Sequence, residues 1–216
     1  MAKSATPITH EPSMPLNMQT SLEMHVIPDQ SSTFHFVRHG ATGPNLCELR
    51  CGGDLDLDMT ELGREQARAT AQRIRDMKIG VGLIVCSALT RTRKHADILS
   101  GVLGGVPIII EPLLAERRMG EWNLRSVAAT EVLLAQGMAP PGGETEQAFA
   151  ARVTAAFERF QTLLPLNPLI VSSKAVARVL NLLLGGRGRL NLANGEMVQF
   201  TIQPSASPGA NERIPK

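Results

Sequence analysis

Phe34-His35-Phe36-Val37-Arg38-His39-Gly40-Ala41-Thr42-Gly43-Pro44-Asn45 is the stretch on which the fold turns. It begins as a short apolar strand and runs out at Arg38-His39-Gly40 into a loop of small and polar residues. Open α/β folds bind their ligands beyond the carboxyl ends of such strands. A histidine beside an arginine at that edge pairs a nucleophile for phosphorus with a planar fork of donors matched to phosphate oxygens. An ordinary strand end with a solvated arginine and a packed histidine gives the same three residues, so the other strand ends must decide between the two.

The chain has 216 residues, 43% hydrophobic and 19% charged, which suits one domain of ordinary size with tails. A core of that size needs no disulfide or metal staple. A formal net charge of +2 gives no sign of a nucleic-acid or membrane-surface protein. With no Tyr and a single Trp, Trp122, there is no platform for stacking bases. Cys47, Cys51 and Cys86 are too few and too odd for a disulfide framework and point to a reducing compartment. No paired His or Cys completes a zinc pattern with Cys47 and Cys51, so neither metal nor cofactor is expected. All five histidines lie at or before His95.

Residues 1–32 are expected to be a loosely attached tail, rich in Pro, Ser, Thr, Met and Gln, without the pattern of a secretory signal or transit peptide. No run of apolar residues is long enough to span a membrane, and a cytoplasmic location is expected. The folded body should cover 33–203, with 204–216 a second tail. Thr60 caps a helix whose apolar positions run to Lys78. Val81–Cys86 is a continuous apolar run, as in a strand buried on both faces, and a helix over Ala88–Leu103 follows it. Further strands are expected at Val106–Ile110, Leu169–Ser172 and Met197–Gln203. Further helices are expected at Ser126–Gln136, at Glu146–Leu164 after the breaker Pro140-Pro141-Gly142-Gly143, and at Ala175–Leu184. Strands alternating with helices mean an α/β fold, a three-layer α/β/α sandwich around a mostly parallel sheet.

The carboxyl ends of the first three strands each carry a reactive group. Arg38 and His39 follow the first strand, Arg91 lies in the first turn after the second, and Glu116 comes after the third. Two arginines can hold a dianionic phosphoryl group and stabilise charge on its equatorial oxygens. Their field also keeps His39 neutral and nucleophilic, while Glu116 can protonate a leaving alcohol and later take a proton from water. His95 falls on the same helix face as Arg91 and is expected to be a surface or packing histidine; His35 should point into the sheet's packing. Arg117 and Arg118 fit either an anionic substrate tail or a solvated face with Glu121. Gly185-Gly186-Arg187-Gly188-Arg189 reads as an exposed turn rather than an anion nest.

Arg38-His39-Gly40-Ala41-Thr42-Gly43-Pro44-Asn45 resembles the RHGxTxxN signature of the histidine phosphatase, or phosphoglycerate-mutase-like, superfamily. Gly53, Asp56, Thr60 and Leu62-Gly63-Arg64-Glu65-Gln66-Ala67 are similar to the segment that follows it there. Ser87-Ala88-Leu89-Thr90-Arg91, Glu116 with Gly120-Glu121-Trp122, and Pro141-Gly142-Gly143-Glu144-Thr145 are similar to its later elements, in the same order. The resemblance implies that His39 is the phosphorylated nucleophile, with Arg38, Thr42, Asn45, Gly53 and Arg91 around the phosphate and Glu116 the proton donor. The short stretch between Trp122 and Pro140 resembles the small phosphatase branch more than the glycolytic mutases.

One position departs from the family's pattern. The resemblance implies a second histidine followed by glycine after the later strand, where this chain has Ser173 and Lys174. Losing one donor that stabilises transition-state charge costs on the order of 10²–10³ in rate. Ser173 can give a neutral hydrogen bond, and Lys174 a charge if its side chain turns inward, so both join the phosphate-binding set. The expected function is a phosphomonoester hydrolase acting through a phosphohistidine, impaired or specialised, on a small phosphorylated metabolite. A catalytically inactive phosphate-binding or regulatory homologue is the alternative, and a phosphoglycerate-type mutase the third reading.

Overall fold

A computed structural model describes residues 32–188 and 190–203. The tails expected at 1–32 and 204–216 therefore lie outside the described residues, apart from Ser32, which opens the first strand.

Five strands form one sheet in the order β3-β2-β4-β1-β5. They are β1 (Ser32–Arg38), β2 (Leu83–Cys86), β3 (Ile108–Ile110), β4 (Pro168–Ser172) and β5 (Met197–Ile202). The first four are parallel; β5 pairs antiparallel with β1. The register sets Arg38 beside Ser172 and Val37 beside Val171, so β1 and β4 end level with each other.

Alternation along these strands builds the two core layers. Phe34 and Phe36 of β1, Leu83 and Val85 of β2 and Ile170 of β4 face α5 (Glu146–Phe160) and α6 (Lys174–Leu183). Val37, Ile84, Cys86, Leu169 and Val171 face α2 (Glu61–Asp76) and α3 (Thr90–Val102). Successive strand side chains point to opposite faces, so a strand covered on both must be apolar throughout, as Leu83–Cys86 is. The result is the expected three-layer sandwich. Phe34 sits among Phe157, Phe160 and Phe200, with ring centroids 5.2–6.4 Å apart.

Several boundaries differ from the sequence reading for local reasons. The third strand begins at Ile108, and its Ile109 and Ile110 are exposed because β3 is an edge of the sheet. The long helix α5 stops at Phe160 and tightens into a 3-10 segment, Gln161–Leu166, that contains Pro165. Proline has no N–H to continue an α-helix. The segment closes at Asn167 with φ 47°. His35 is half-buried rather than packed in the core. Residues 185–188 form a largely exposed turn, and Arg189 lies outside the described residues.

Two glycines let the loop after β1 lie against α2. A Cβ on Gly40 would stand 2.1 Å from the Gly63 carbonyl oxygen, and one on Gly63 would stand 2.3 Å from that of Ala41. Thr60 locks the same junction: its hydroxyl accepts from Gly63 N–H at 3.2 Å and donates to Ala41 O at 3.1 Å.

Candidate active site

His39 leaves β1 with its backbone N–H on Ser172 O at 2.9 Å, which holds it over the end of β4. Its ring is 4% exposed, and Nδ1 lies 2.8 Å from Gly40 O. A carbonyl oxygen can only accept, so Nδ1 carries the proton and Nε2 keeps its lone pair. Burial, then the Arg91 charge, with smaller contributions from Arg38 and His95, hold His39 well below its ordinary pKa against the opposing bond to Gly40. The imidazole is therefore neutral with a fixed tautomer.

A cavity of about 500 Å³ opens over these strand ends. Arg38, Asn45, Glu116 and Lys174 of the expected set line it. Arg38 donates through Nη1 to Leu192 O at 2.8 Å, and its Nε is buried without a partner among the described residues. Asn45 Oδ1 accepts from Thr42 N–H at 3.1 Å and from Asn194 Nδ2 at 3.3 Å. Its own amide NH₂ is thereby left for the cavity. Glu116 Oε1 accepts from Arg117 N–H at 2.8 Å.

His39, Arg91, Thr42 and Ser173 do not line the cavity; the last three are each no more than 2% exposed. The sequence reading set Arg91 at the phosphate; in the structure its Nη1 and Nη2 donate to Leu55 O and Gly52 O at 2.9 and 3.1 Å. It anchors the loop after Asn45 and sets its charge beside His39, with only Nε unpartnered among the described residues. Gly53 does not line the cavity. It is a packing glycine: a Cβ there would stand 2.1 Å from Glu116 O, and its N–H donates to Arg117 O at 2.9 Å. Its contribution is to let the loop that carries Glu116 come close.

Ser173 is the N-cap of α6, yet its hydroxyl makes no capping bond and is buried without a partner among the described residues. Serine at that position ordinarily accepts from the first turn. A buried, unsatisfied hydroxyl costs about 1–3 kcal/mol and calls for an explanation. Lys174, half-buried, lines the cavity with only a long 3.4 Å contact to Asn191 Oδ1. Burial, then Arg38, Arg178 and Arg50, lower its pKa, with Glu116 opposing.

Some groups escaped the sequence reading. His95, expected as surface or packing, accepts the Gly40 N–H on Nδ1 at 3.0 Å and so orients the residue after His39. Asn194 donates to His39 O at 2.9 Å as well as to Asn45. Arg152 donates to Leu113 O, Ala115 O and Glu116 O and pairs with Glu144 at 2.8 Å, so the Pro-Gly-Gly-Glu loop fixes the backbone under Glu116. Burial would raise the Glu144 pKa, but the bonds from Arg152 and Arg118 N–H leave it below the ordinary value. Arg117 is no part of a solvated face: it is buried, bonds Glu144 O, pairs with Glu146 at 2.5 Å and lines the cavity. Arg50 and Arg178 also line the cavity.

Residues 34–205 match the histidine phosphatase superfamily (branch 1). The chain belongs to that superfamily. A member from Photorhabdus laumondii, named "Probable phosphoglycerate mutase GpmB", is 33% identical over 187 residues, covering 79% of this chain and 85% of its own length. Among solved members, the mycobacterial glucosyl-3-phosphoglycerate phosphatase complexed with VO3 aligns at TM-score 0.65 and 26% identity, covering 78% of this chain and 90% of that one. The alpha-ribazole phosphatase of Shigella flexneri aligns at TM-score 0.64 and 25% identity, covering 77% and 89%. The sandwich is thus that of the phosphoglycerate-mutase-like histidine phosphatases. Its described helices include none long and apolar enough to cross a membrane.

Proposed function

We propose that this histidine phosphatase relative is a phosphomonoester hydrolase that works through a phosphohistidine on His39. The observation that carries the reading is the Nδ1–H bond of His39 to Gly40 O at 2.8 Å, which leaves Nε2 free to attack in a buried, cationic setting.

His39 Nε2 attacks phosphorus, and the bond from phosphorus to the ester oxygen breaks. Glu116 gives its proton to the departing alkoxide, then takes one from the water that attacks the phosphohistidine; the P–N bond breaks and inorganic phosphate leaves. Arg38 Nε, the Asn45 amide and Arg91 stabilise the equatorial oxygens. Ser173 contributes a neutral hydroxyl where the family resemblance implies a second histidine, and Lys174 returns a positive charge from the next residue. The partner is a small phosphorylated metabolite. A cytoplasmic location fits the free Cys47, Cys51 and Cys86.

Ser173 also favours a second reading, a phosphate-binding protein that does not turn over. A phosphatase assay on an aryl phosphate, with wild type, His39→Ala and Ser173→His side by side, separates the two. Hydrolysis in wild type, its loss in His39→Ala and a gain on the order of 10²-fold in Ser173→His are expected. A wild type that binds vanadate but releases no phosphate would select the binding protein. Transfer between positions of a phosphoglycerate, without hydrolysis, would select the mutase named among its relatives.

A further inference from the structure

The cavity changes character along α6. Lys174 and Arg178, one turn apart, line it near the end of β4; Val179 and Leu182 line it farther along the same helix. Opposite them stand Val127, Leu134 and Ala135 of α4 (Val127–Ala135). One end of the cavity therefore carries Arg38, the residue before His39, with Lys174, Arg178 and Glu116, and the other has apolar side chains from both helices.

α4 strengthens the point. Its sequence, VAATEVLLA, is apolar except for Thr130 and Glu131, yet Thr130 is its only buried residue. A surface helix ordinarily turns a polar face to water. The two polar residues are engaged inward instead: Arg50 Nε donates to Thr130 Oγ1 at 2.6 Å, and Arg50 Nη2 pairs with Glu131 at 2.5 Å. Arg50 thus ties α4 over the cationic end. Leu182, 66% exposed, carries the apolar wall out to the mouth. Contiguous exposed apolar surface at a site mouth marks binding. A volume of about 500 Å³ also far exceeds a phosphoryl group, which fills only a few water volumes of about 30 Å³ each.

We propose that the cavity takes phosphomonoesters of apolar alcohols, with the phosphoryl group on the side of Arg38, Asn45 and Lys174, next to His39, and an alkyl or aryl body between α4 and α6. This rests on the phosphatase reading of the same site. Its substrates are then amphiphiles rather than the phosphoglycerates named among its relatives.

The test is calorimetric binding of n-alkylphosphonates, methyl through hexyl, to the full chain. Their P–C bond cannot be hydrolysed, so the readout does not depend on turnover. The dissociation constant is expected to fall about three- to fourfold per methylene. Leu182→Gln and Leu134→Gln, each checked for folding by circular dichroism, should flatten the series; Leu182 is exposed enough to be replaced without loss of the core. A flat series in wild type, no measurable binding of hexylphosphonate, or a steep series left unchanged by both variants would overturn the proposal. An enzyme that hydrolyses aryl phosphate but shows a flat series defeats only the apolar-alcohol inference. A steep series without turnover defeats only the hydrolase reading.

Discussion

His39 and His95 are both buried and neutral, but they serve different ends. In His39 the tautomer leaves the lone pair on Nε2; in His95 it turns Nδ1 into an acceptor for the Gly40 N–H. Burial takes the His95 pKa from 6.5 to about 3, and His39 is lowered as well. Both folded values lie below the unfolded one, so their contribution to stability is complete above pH 6.5 and is lost as pH falls below it. Each histidine costs about 1.4 kcal/mol per pH unit across that window. His95→Gln, whose amide oxygen can still accept from Gly40, should shallow the acid slope of urea-unfolding free energy by one proton. An unchanged slope would mean that His95 is not held neutral. At this scale the sequence made Arg38, His39, Asn45 and Glu116 legible, because each stands in a compact motif or at a strand end. Asn194 and Arg152 were not legible: they act on carbonyls that are 155 and 36 residues away in the chain. Only tertiary contact assigns such partners.

The junction of the β1 loop with α2 sets the geometry of the site. Alanine favours a helix over glycine by about 1 kcal/mol. Gly63→Ala should nevertheless destabilise the protein, because its Cβ would stand 2.3 Å from Ala41 O, a backbone atom in the loop after His39. The loss in thermal midpoint should exceed that of Thr60→Ala, where a lost cap costs about 1 kcal/mol. A Gly63→Ala protein as stable as wild type would show that the loop can move aside freely. The capped start of α2 was legible from Thr60 and its first turn; the reason for Gly63 was not, because it lies in a loop 22 residues earlier. Arg91 was legible only in part for the same kind of reason. Its place on α3 was visible in the sequence, but the carbonyls of Gly52 and Leu55 that hold it were not.

Across the whole molecule, the alternation of strands and helices was enough to place the α/β sandwich and all five strands near their observed positions. The strand order and the antiparallel β5 were beyond that reading, since a parallel or antiparallel last strand carries the same apolar run. That order has a functional consequence: β4 lies between β1 and β2, so Ser173 arrives beside His39 with α3 and Arg91 on the opposite layer. The central claim is that the sandwich assembles these strand ends to phosphorylate His39. Rapid quenching of the full chain with a radiolabelled phosphomonoester, under alkaline conditions, tests it most directly. The label should be acid-labile and base-stable, map to the peptide containing His39, and vanish in His39→Asn. Hydrolysis that proceeds without label on His39, or label on another residue, would contradict it.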